Sequence, residues 1–122
     1  MPDSIFSAAS LSSLEQACSG VLILTEGIGR DELQRSRLTL RAVLEQLAVI
    51  AGCVQGMPAV ARSLMPELGW DDWELIGRTL AGARDDDTLW FAVSALVPAT
   101  MMWLRVYRQE QPGLFAFTAC PD

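Results

Sequence analysis

The chain has 122 residues and a formal net charge of −6, and its sequence contains no histidine and no lysine. This length fits one domain, and apolar residues make up 51% of the chain, so a hydrophobic core can form. Histidine is the usual general base near neutral pH, and lysine is the usual Schiff-base amine and phosphate-binding cation. A Ser-His-Asp triad, a histidine zinc site, a P-loop lysine and imine chemistry are therefore excluded. The acidic charge also disfavours non-specific binding to nucleic acid or to an anionic membrane.

The three cysteines, Cys18, Cys53 and Cys120, lie far apart and form no C-x-x-C pair. We therefore expect neither a disulfide framework nor a structural zinc site, and no metal or cofactor. Residues 1–13 have no basic segment and no long apolar segment, so they do not resemble a secretory signal. These features favour a cytoplasmic protein.

The first two predicted helices come from capping signals and apolar spacing. Ser12 and Glu15 match a capping box, which predicts a helix over about residues 14–25 that ends at the glycines 27 and 29. Asp31 is predicted to open one long second helix that reaches about Gln55 and stops at Gly56. The second helix has an apolar stripe with spacings of three and four, formed by Leu40, Val43, Leu44, Leu47, Ala51 and Val54.

Two shorter helices are predicted in the middle of the chain. Pro58 suits the first turn of a helix that ends near Met65, before another proline. Asp71 or Asp72 is predicted to cap a further helix over about residues 73–81, which Gly82 ends.

The fifth predicted helix begins at three consecutive aspartates, residues 85–87, and runs to about Tyr107, with a kink at Pro98. Residues 88–104 contain no charged side chain, and their apolar residues point in every direction around the helix. A membrane span needs about 20 apolar residues, so we prefer a core helix that packs on one side against a second subunit. The sequence therefore predicts a homodimer and no membrane span.

The ordered set of helices and motifs resembles the HepT-like branch of the HEPN superfamily. Residues 24–28 read LTEGI, residues 41–52 read RAVLEQLAVIAG, residues 66–70 read PELGW and residues 76–79 read IGRT. Trp90 and Pro98, eight residues apart, resemble the spacing at the start of the last helix in that family. The resemblance covers about residues 14–107. It implies a helical dimer whose partner is a nucleotidyltransferase-type antitoxin.

The chain departs from that family at the residues that carry its activity. Active members have Arg-x4-His-x-Tyr between the fourth and fifth helices, where arginine and histidine from two subunits cut RNA. Counted from Arg78, the histidine position is Ala83 and the tyrosine position is Asp85, and the loop is shorter than in the family. The resemblance therefore implies a scaffold that has lost its ribonuclease site, with Arg78 as the one candidate carried over.

Each of the remaining charged clusters has two interpretations. The aspartates at 71–72 and 85–87 could hold Mg²⁺, but helix capping explains both clusters. Arg30, Arg37 and Arg41 could share a helix face that touches a nucleic acid or an acidic partner. The favoured interpretation is that they lie on a solvated helix face. Arg78 either keeps a functional role or forms a salt bridge to Glu74, one turn earlier.

The sequence as a whole predicts an all-α, up-and-down four-helix bundle with one extra short helix over residues 1–108, and a tail over residues 109–122. The predicted function is a non-catalytic HepT-like dimer that interacts with partners in a toxin-antitoxin or nucleotidyltransferase-associated system. RNA is a disfavoured ligand because of the net charge. The predicted dimer or partner surface consists of Arg78, Trp90, Val97, Met101 and Leu104. The alternatives are a divergent ribonuclease toxin that uses Arg78 with Asp85 or Glu74, and an unrelated helical immunity or regulatory protein.

Overall fold

The computed structural model describes residues 8–57, 59–82 and 85–111, and this part of the chain is helical without any strand. The helices are α1 (Ala8–Leu24), α2 (Arg30–Arg35), α3 (Arg37–Gln55), α4 (Ala59–Leu64), α5 (Trp70–Ala81), α6 (Asp86–Phe91) and α7 (Val97–Glu110). A π-helical turn, Ala92–Leu96, joins α6 and α7 into one continuous segment, Asp86–Glu110, which we call the C-terminal helix. The all-α prediction is confirmed.

Helix α1 begins earlier than the sequence predicted, and Ser12 lies exposed inside it instead of capping it. Leu11 and Leu14 are both fully buried, so the core-facing stripe continues toward the N-terminus past the expected start. Burial of this stripe outweighs the local capping signal, since most helix stability comes from tertiary packing. The predicted end is correct, because the chain leaves the helix through a turn at Gly27, whose φ of 74° favours glycine.

The predicted long second helix is divided in two at Ser36, so that prediction was wrong at its N-terminal end. Ser36 has extended backbone angles, and its hydroxyl donates to the Thr39 hydroxyl at 3.0 Å or accepts from it. Serine competes with the helix by such local side-chain bonds and therefore favours helix ends. The break lets Leu33 of α2 turn into the core, where it is 4% exposed. At the other end, Gly56 ends α3 as predicted.

Helix α5 starts at Trp70, and its N-cap is Gly69, not Asp71 or Asp72. The two aspartates lie in the first turn, where their charge still complements the helix dipole. Gly69 has a φ of 83°, and a β-carbon there would lie 3.1 Å from the Leu96 side chain, so glycine fits both the backbone and the space. Gly82 ends α5 as predicted.

Pro98 is accommodated by the π-helical turn that precedes it. The Val97 N–H donates to the carbonyl of Ala92, five residues earlier. A proline in a helix lacks the N–H donor, and its ring crowds the carbonyl four residues earlier; a wider turn before it reduces that crowding. The sequence predicted a disturbance at Pro98; the structure places it at Ala92–Leu96.

The core forms where α3 packs against α1 and α5 while α7 packs against α1 and the π-helical turn. At its centre the fully buried Trp73 of α5 donates its indole N–H to the hydroxyl of Thr100 at 2.9 Å. Thr100 is the one buried polar residue of the described part. Near the C-terminal end of α7, the Tyr107 hydroxyl accepts from the Glu67 N–H at 2.9 Å and donates to the Glu67 carboxylate. These bonds connect the α4–α5 region to the C-terminal helix.

Two helices, Arg37–Gln55 and Asp86–Glu110, are long and apolar enough to cross a membrane by length and composition alone. The core helices of soluble proteins pass the same test. Both helices also pack against other helices of the chain.

The central hydrogen bond gives a direct test of the core. Thr100→Val keeps the shape of the side chain but leaves the Trp73 N–H without an acceptor, and should destabilise the fold by about 1–3 kcal/mol. Urea unfolding of Thr100→Val, Trp73→Phe and the double variant forms the cycle that isolates this bond. We expect Thr100→Val to cost much less in the Trp73→Phe background. An equal cost in both backgrounds would contradict the assigned hydrogen bond.

Candidate functional site

Arg78 lies on the exposed side of α5, and its Nη1 atom is 3.5 Å from Glu74 Oε2, one turn earlier. The salt bridge predicted as the structural alternative is therefore present. Its guanidinium side chain remains 66% exposed, so the pair is solvated and contributes only a few tenths of a kcal/mol by itself. The structure leaves Arg78 accessible for a ligand or a partner.

The same arginine borders an open depression of about 430 Å³ beside the start of α5. The residues that line it come from α3, α4, α5 and the segment between α3 and α4: Val54, Gln55, Met57, Ala59, Arg62, Trp70, Glu74 and Arg78. Arg62 stands across from α5, with its guanidinium carbon 5.4 Å from the centre of the Trp70 ring and its Nη1 atom 3.7 Å from Asp71. Two guanidinium groups, an amide and an aromatic ring can bind a ligand, but they supply no general base.

Gly77 leaves room for Gln55, one of the lining residues of this depression, and the sequence did not predict this contact. A β-carbon at Gly77 would lie 2.4 Å from the Gln55 amide nitrogen, so the missing side chain leaves room for Gln55 at the α3–α5 contact. The sequence shows Gly77 in the IGRT motif, but it does not show that Gln55 of α3 packs against this glycine. Only the crossing of α3 and α5 identifies Gln55 as a member of the site.

Asp85, proposed above as a substitute base for the ribonuclease alternative, is the N-cap of α6. Its carboxylate accepts from the Asp87 and Thr88 N–H groups at 3.0 and 3.4 Å, and from the Thr88 hydroxyl at 3.0 Å. The hydrogen bond from the Thr88 hydroxyl, followed by the one from the Thr88 N–H, holds the pKa of Asp85 below its ordinary value. A general base for RNA cleavage needs a pKa near the working pH, so this environment moves Asp85 away from that role. Ala83 lies outside the described residues.

The capping interpretation is confirmed for the aspartates at 85–87 and wrong for those at 71–72, which lie in the first turn of α5 behind the N-cap Gly69. Asp85 caps α6, and Asp87 forms a salt bridge to Arg30. Among residues 8–57, 59–82 and 85–111, no group of three histidine, cysteine, aspartate or glutamate side chains is placed to hold a metal ion.

The cysteines show no reactive character in the described part. Burial raises the pKa of the Cys18 thiol to about 12, and burial also raises the pKa of Cys53. Thiolate nucleophiles need a lowered pKa, so neither side chain is a candidate nucleophile. Cys120 and the predicted tail beyond residue 111 lie outside the described residues, while residues 109 and 110 of that tail continue α7.

The predicted partner surface is only partly accessible. Val97 and Leu104 are fully buried in the chain's own core, so including them was wrong. Trp90 and Met101 are half-buried, and Arg78 is exposed. The outward face of the C-terminal helix is formed by different residues, namely Phe91, Ser94, Ala95, Ala99 and Met102. Between residues 88 and 104 this face contains no charged side chain.

The helix face predicted to carry Arg30, Arg37 and Arg41 is split between two surfaces. Arg37 and Arg41 line one depression together with Leu38, so these two arginines do share a surface. Arg30 instead forms a salt bridge to Asp87 of α6. The tertiary structure thus assigns Arg30 to the contact between α2 and the start of the C-terminal helix.

Comparison of the chain with protein-family models, curated proteins and solved structures finds no match. The HepT-like resemblance therefore rests on the motifs in the sequence.

The capping role of Asp85 can be separated from a catalytic one. Asparagine caps helices as well as aspartate, so Asp85→Asn should keep nearly wild-type stability at pH 7, whereas Asp85→Ala should lower the melting temperature. Because the folded-state pKa of Asp85 lies below its ordinary value of 3.8, the contribution of the carboxylate to stability is complete above that pH and is lost as pH falls through the folded pKa. Thermal melts of both variants between pH 2.5 and 7 measure this. Equal stability of Asp85→Ala and wild type at pH 7 would contradict the cap.

Proposed function

We propose that the chain is a HepT-like helical-bundle homodimer that lacks ribonuclease activity and serves as an interaction partner in a bacterial toxin-antitoxin or nucleotidyltransferase-associated system. The observation that carries this proposal is the exposed, uncharged face of the C-terminal helix. A cytoplasmic location belongs to the same proposal.

The packing of the long helices supports the bundle part of the proposal. Helix α3 contacts α1 and α5, and α7 contacts α1, so four long segments surround one core. The short α4 supplies the fully buried Ala61, and α2 supplies Leu33. This arrangement agrees with a four-helix bundle that carries short additional helices.

The outward face of the C-terminal helix supports self-association. Phe91 is 40% exposed and Met102 is 48% exposed, and exposed residues connect them along the helix at steps of three and four. The exposed Ala95 and Ala99 lie between them, and small side chains let a second helix approach closely. A two-fold axis that places this face against its copy would bury both large side chains, which is the simplest closed assembly.

The chemistry around Arg78 supports a non-catalytic role. Attack by a 2′-hydroxyl requires a base near neutral pKa and a group that stabilises the phosphorane charge. Arg78 meets the second need only. The chain has no histidine, Asp85 is engaged as a helix cap, and Glu74 is paired with Arg78 itself.

Self-association is tested by placing a charge on the proposed interface. The wild-type chain at 50 µM should elute in light-scattering chromatography with twice its 13.3 kDa mass, and Met102→Asp should reduce this to the single-chain mass. Val49→Asp is the matched control, because Val49 is equally exposed at 45% but lies on α3, which packs mainly against α1 and α5. Val49→Asp should remain dimeric. A wild-type monomer at this concentration would refute the dimer.

Loss of ribonuclease activity is tested with purified protein and a labelled single-stranded RNA. We expect no cleavage above buffer by the wild type or by Arg78→Ala, since the chain supplies no base. Cleavage that disappears in Arg78→Ala would instead establish the divergent ribonuclease. A minimal nucleotidyltransferase encoded beside this chain and co-purifying with it supports the antitoxin partnership. Its absence favours a helical immunity or regulatory protein.

A further inference from the structure

A second surface, along α3 and beside the end of α5, has features that the proposed dimer does not use. One depression of about 650 Å³ and a neighbouring one of about 350 Å³ share Arg41 and Leu44 in their walls. Together they form one groove that follows α3 from Arg37 to Ala48 and is closed on one side by Leu80 of α5. We call this the α3 groove.

The floor of the α3 groove is apolar. Leu40, Leu44 and Leu80 are half-buried there, and Leu38 is 81% exposed, the highest exposure among the large apolar side chains of the described part. An exposed leucine on its own is ordinary, but this one adjoins three further leucines in a concave surface. A concave apolar strip of this kind is where the apolar face of an amphipathic helix docks.

The charges on the rim are unevenly distributed. Arg37 and Arg41 are both exposed, and neither forms an ion pair with the described part of the chain. The other end of the groove carries Glu45. In a chain with a net charge of −6, two unpaired arginines beside a leucine floor form a local positive site.

The length of the groove matches a short helix. Eleven residue steps separate Arg37 from Ala48, which corresponds to about 16 Å along α3 at 1.5 Å per residue. A partner helix of about three turns spans this distance. Its apolar residues would follow a spacing of three and four, and its carboxylates would lie at the end that meets the two arginines.

Other occupants fit the surface less well. A nucleic acid needs a broad basic footprint and aromatic side chains for stacking, whereas this groove offers leucines in an acidic chain. A second copy of this chain already has a proposed interface on the C-terminal helix, and residues 88–104 of that helix carry no carboxylate that could meet the two arginines. An acidic partner helix from another protein fits both the floor and the rim.

We propose that the α3 groove binds an acidic amphipathic helix of a partner protein, with its apolar residues on the leucine floor and its carboxylates on Arg37 and Arg41. This inference rests on the proposed role of the chain as an interaction module, but it uses a surface separate from the C-terminal helix. The proposal specifies that the partner protein contributes an acidic amphipathic helix.

The test uses the full chain and a displayed library of random 16-residue peptides. Selected binders should carry leucine-like residues at helical spacing and at least two carboxylates near one end. In fluorescence anisotropy, Arg37→Glu/Arg41→Glu should weaken these peptides at least tenfold, and Leu38→Asp should weaken them similarly. Arg35→Glu is the control, because Arg35 is exposed on α2 but does not line the groove, and it should change affinity less than twofold.

A charge swap separates specific pairing from misfolding. Peptides whose carboxylates are replaced by lysine should bind Arg37→Glu/Arg41→Glu better than they bind the wild type. Circular dichroism and unfolding curves of the double variant confirm that it remains folded. Binding of wild-type protein to the acidic peptides should also fall as salt rises from 50 to 500 mM, because exposed charge pairs are screened.

Four outcomes of the binding experiments overturn the proposal. They are a failure to select any peptide, selection of peptides without carboxylates, equal binding to Arg37→Glu/Arg41→Glu, and stronger binding of a single-stranded 20-nucleotide RNA than of the acidic peptides. A change of oligomeric mass in Arg37→Glu/Arg41→Glu would assign the groove to a second copy and also overturn it. Failure of the dimer proposal is measured separately by Met102→Asp, which should leave the peptide affinity within twofold of the wild type.

Discussion

The buried indole of Trp73 sets a constraint on the whole arrangement. A tryptophan N–H that is fully removed from water needs an acceptor, and Thr100 of the C-terminal helix supplies it at 2.9 Å. This bond joins α5 to the C-terminal helix at one register. Because α5 also carries Arg78 and the C-terminal helix carries the uncharged outward face, a single core contact fixes both surfaces of interest. The Tyr107–Glu67 bonds hold the same helix a second time, near its C-terminal end.

The charged side chains are largely used in local structure, which is why the described part offers little acid-base chemistry. Asp85 caps a helix, and the pairs Arg78–Glu74, Arg30–Asp87 and Arg108–Glu15 connect neighbouring turns or helices. In a chain without histidine or lysine, carboxylates would have to act as bases. Among them, Asp85 is held by hydrogen bonds that favour its ionised form.

Local signals predicted helix ends better than helix beginnings. Gly27, Gly56 and Gly82 end their helices as expected, because glycine stops a helix through backbone preferences that act within a few residues. The start of α1, the break at Ser36 and the N-cap at Gly69 were missed. Each of these depends on what distant residues bury, such as Leu11, Leu33 and the contact of Gly69 with Leu96. The arginine at position 78 could be named from the sequence, while Arg62 and Gln55 became its neighbours only through the crossing of α3, α4 and α5.

The helical class, the absence of histidine and lysine, and the uncharged stretch of the last helix could all be read from the amino-acid sequence. These properties depend on composition and on spacing along one helix. The outward side of that stretch is set by tertiary packing. The π-helical turn Ala92–Leu96 adds a residue to one turn, and one residue rotates the following face by about 100° in an α-helix. Val97 and Leu104 lie in the core while Phe91 and Met102 stay at the surface, because the packing of α7 against α1 and the π-helical turn selects the buried side.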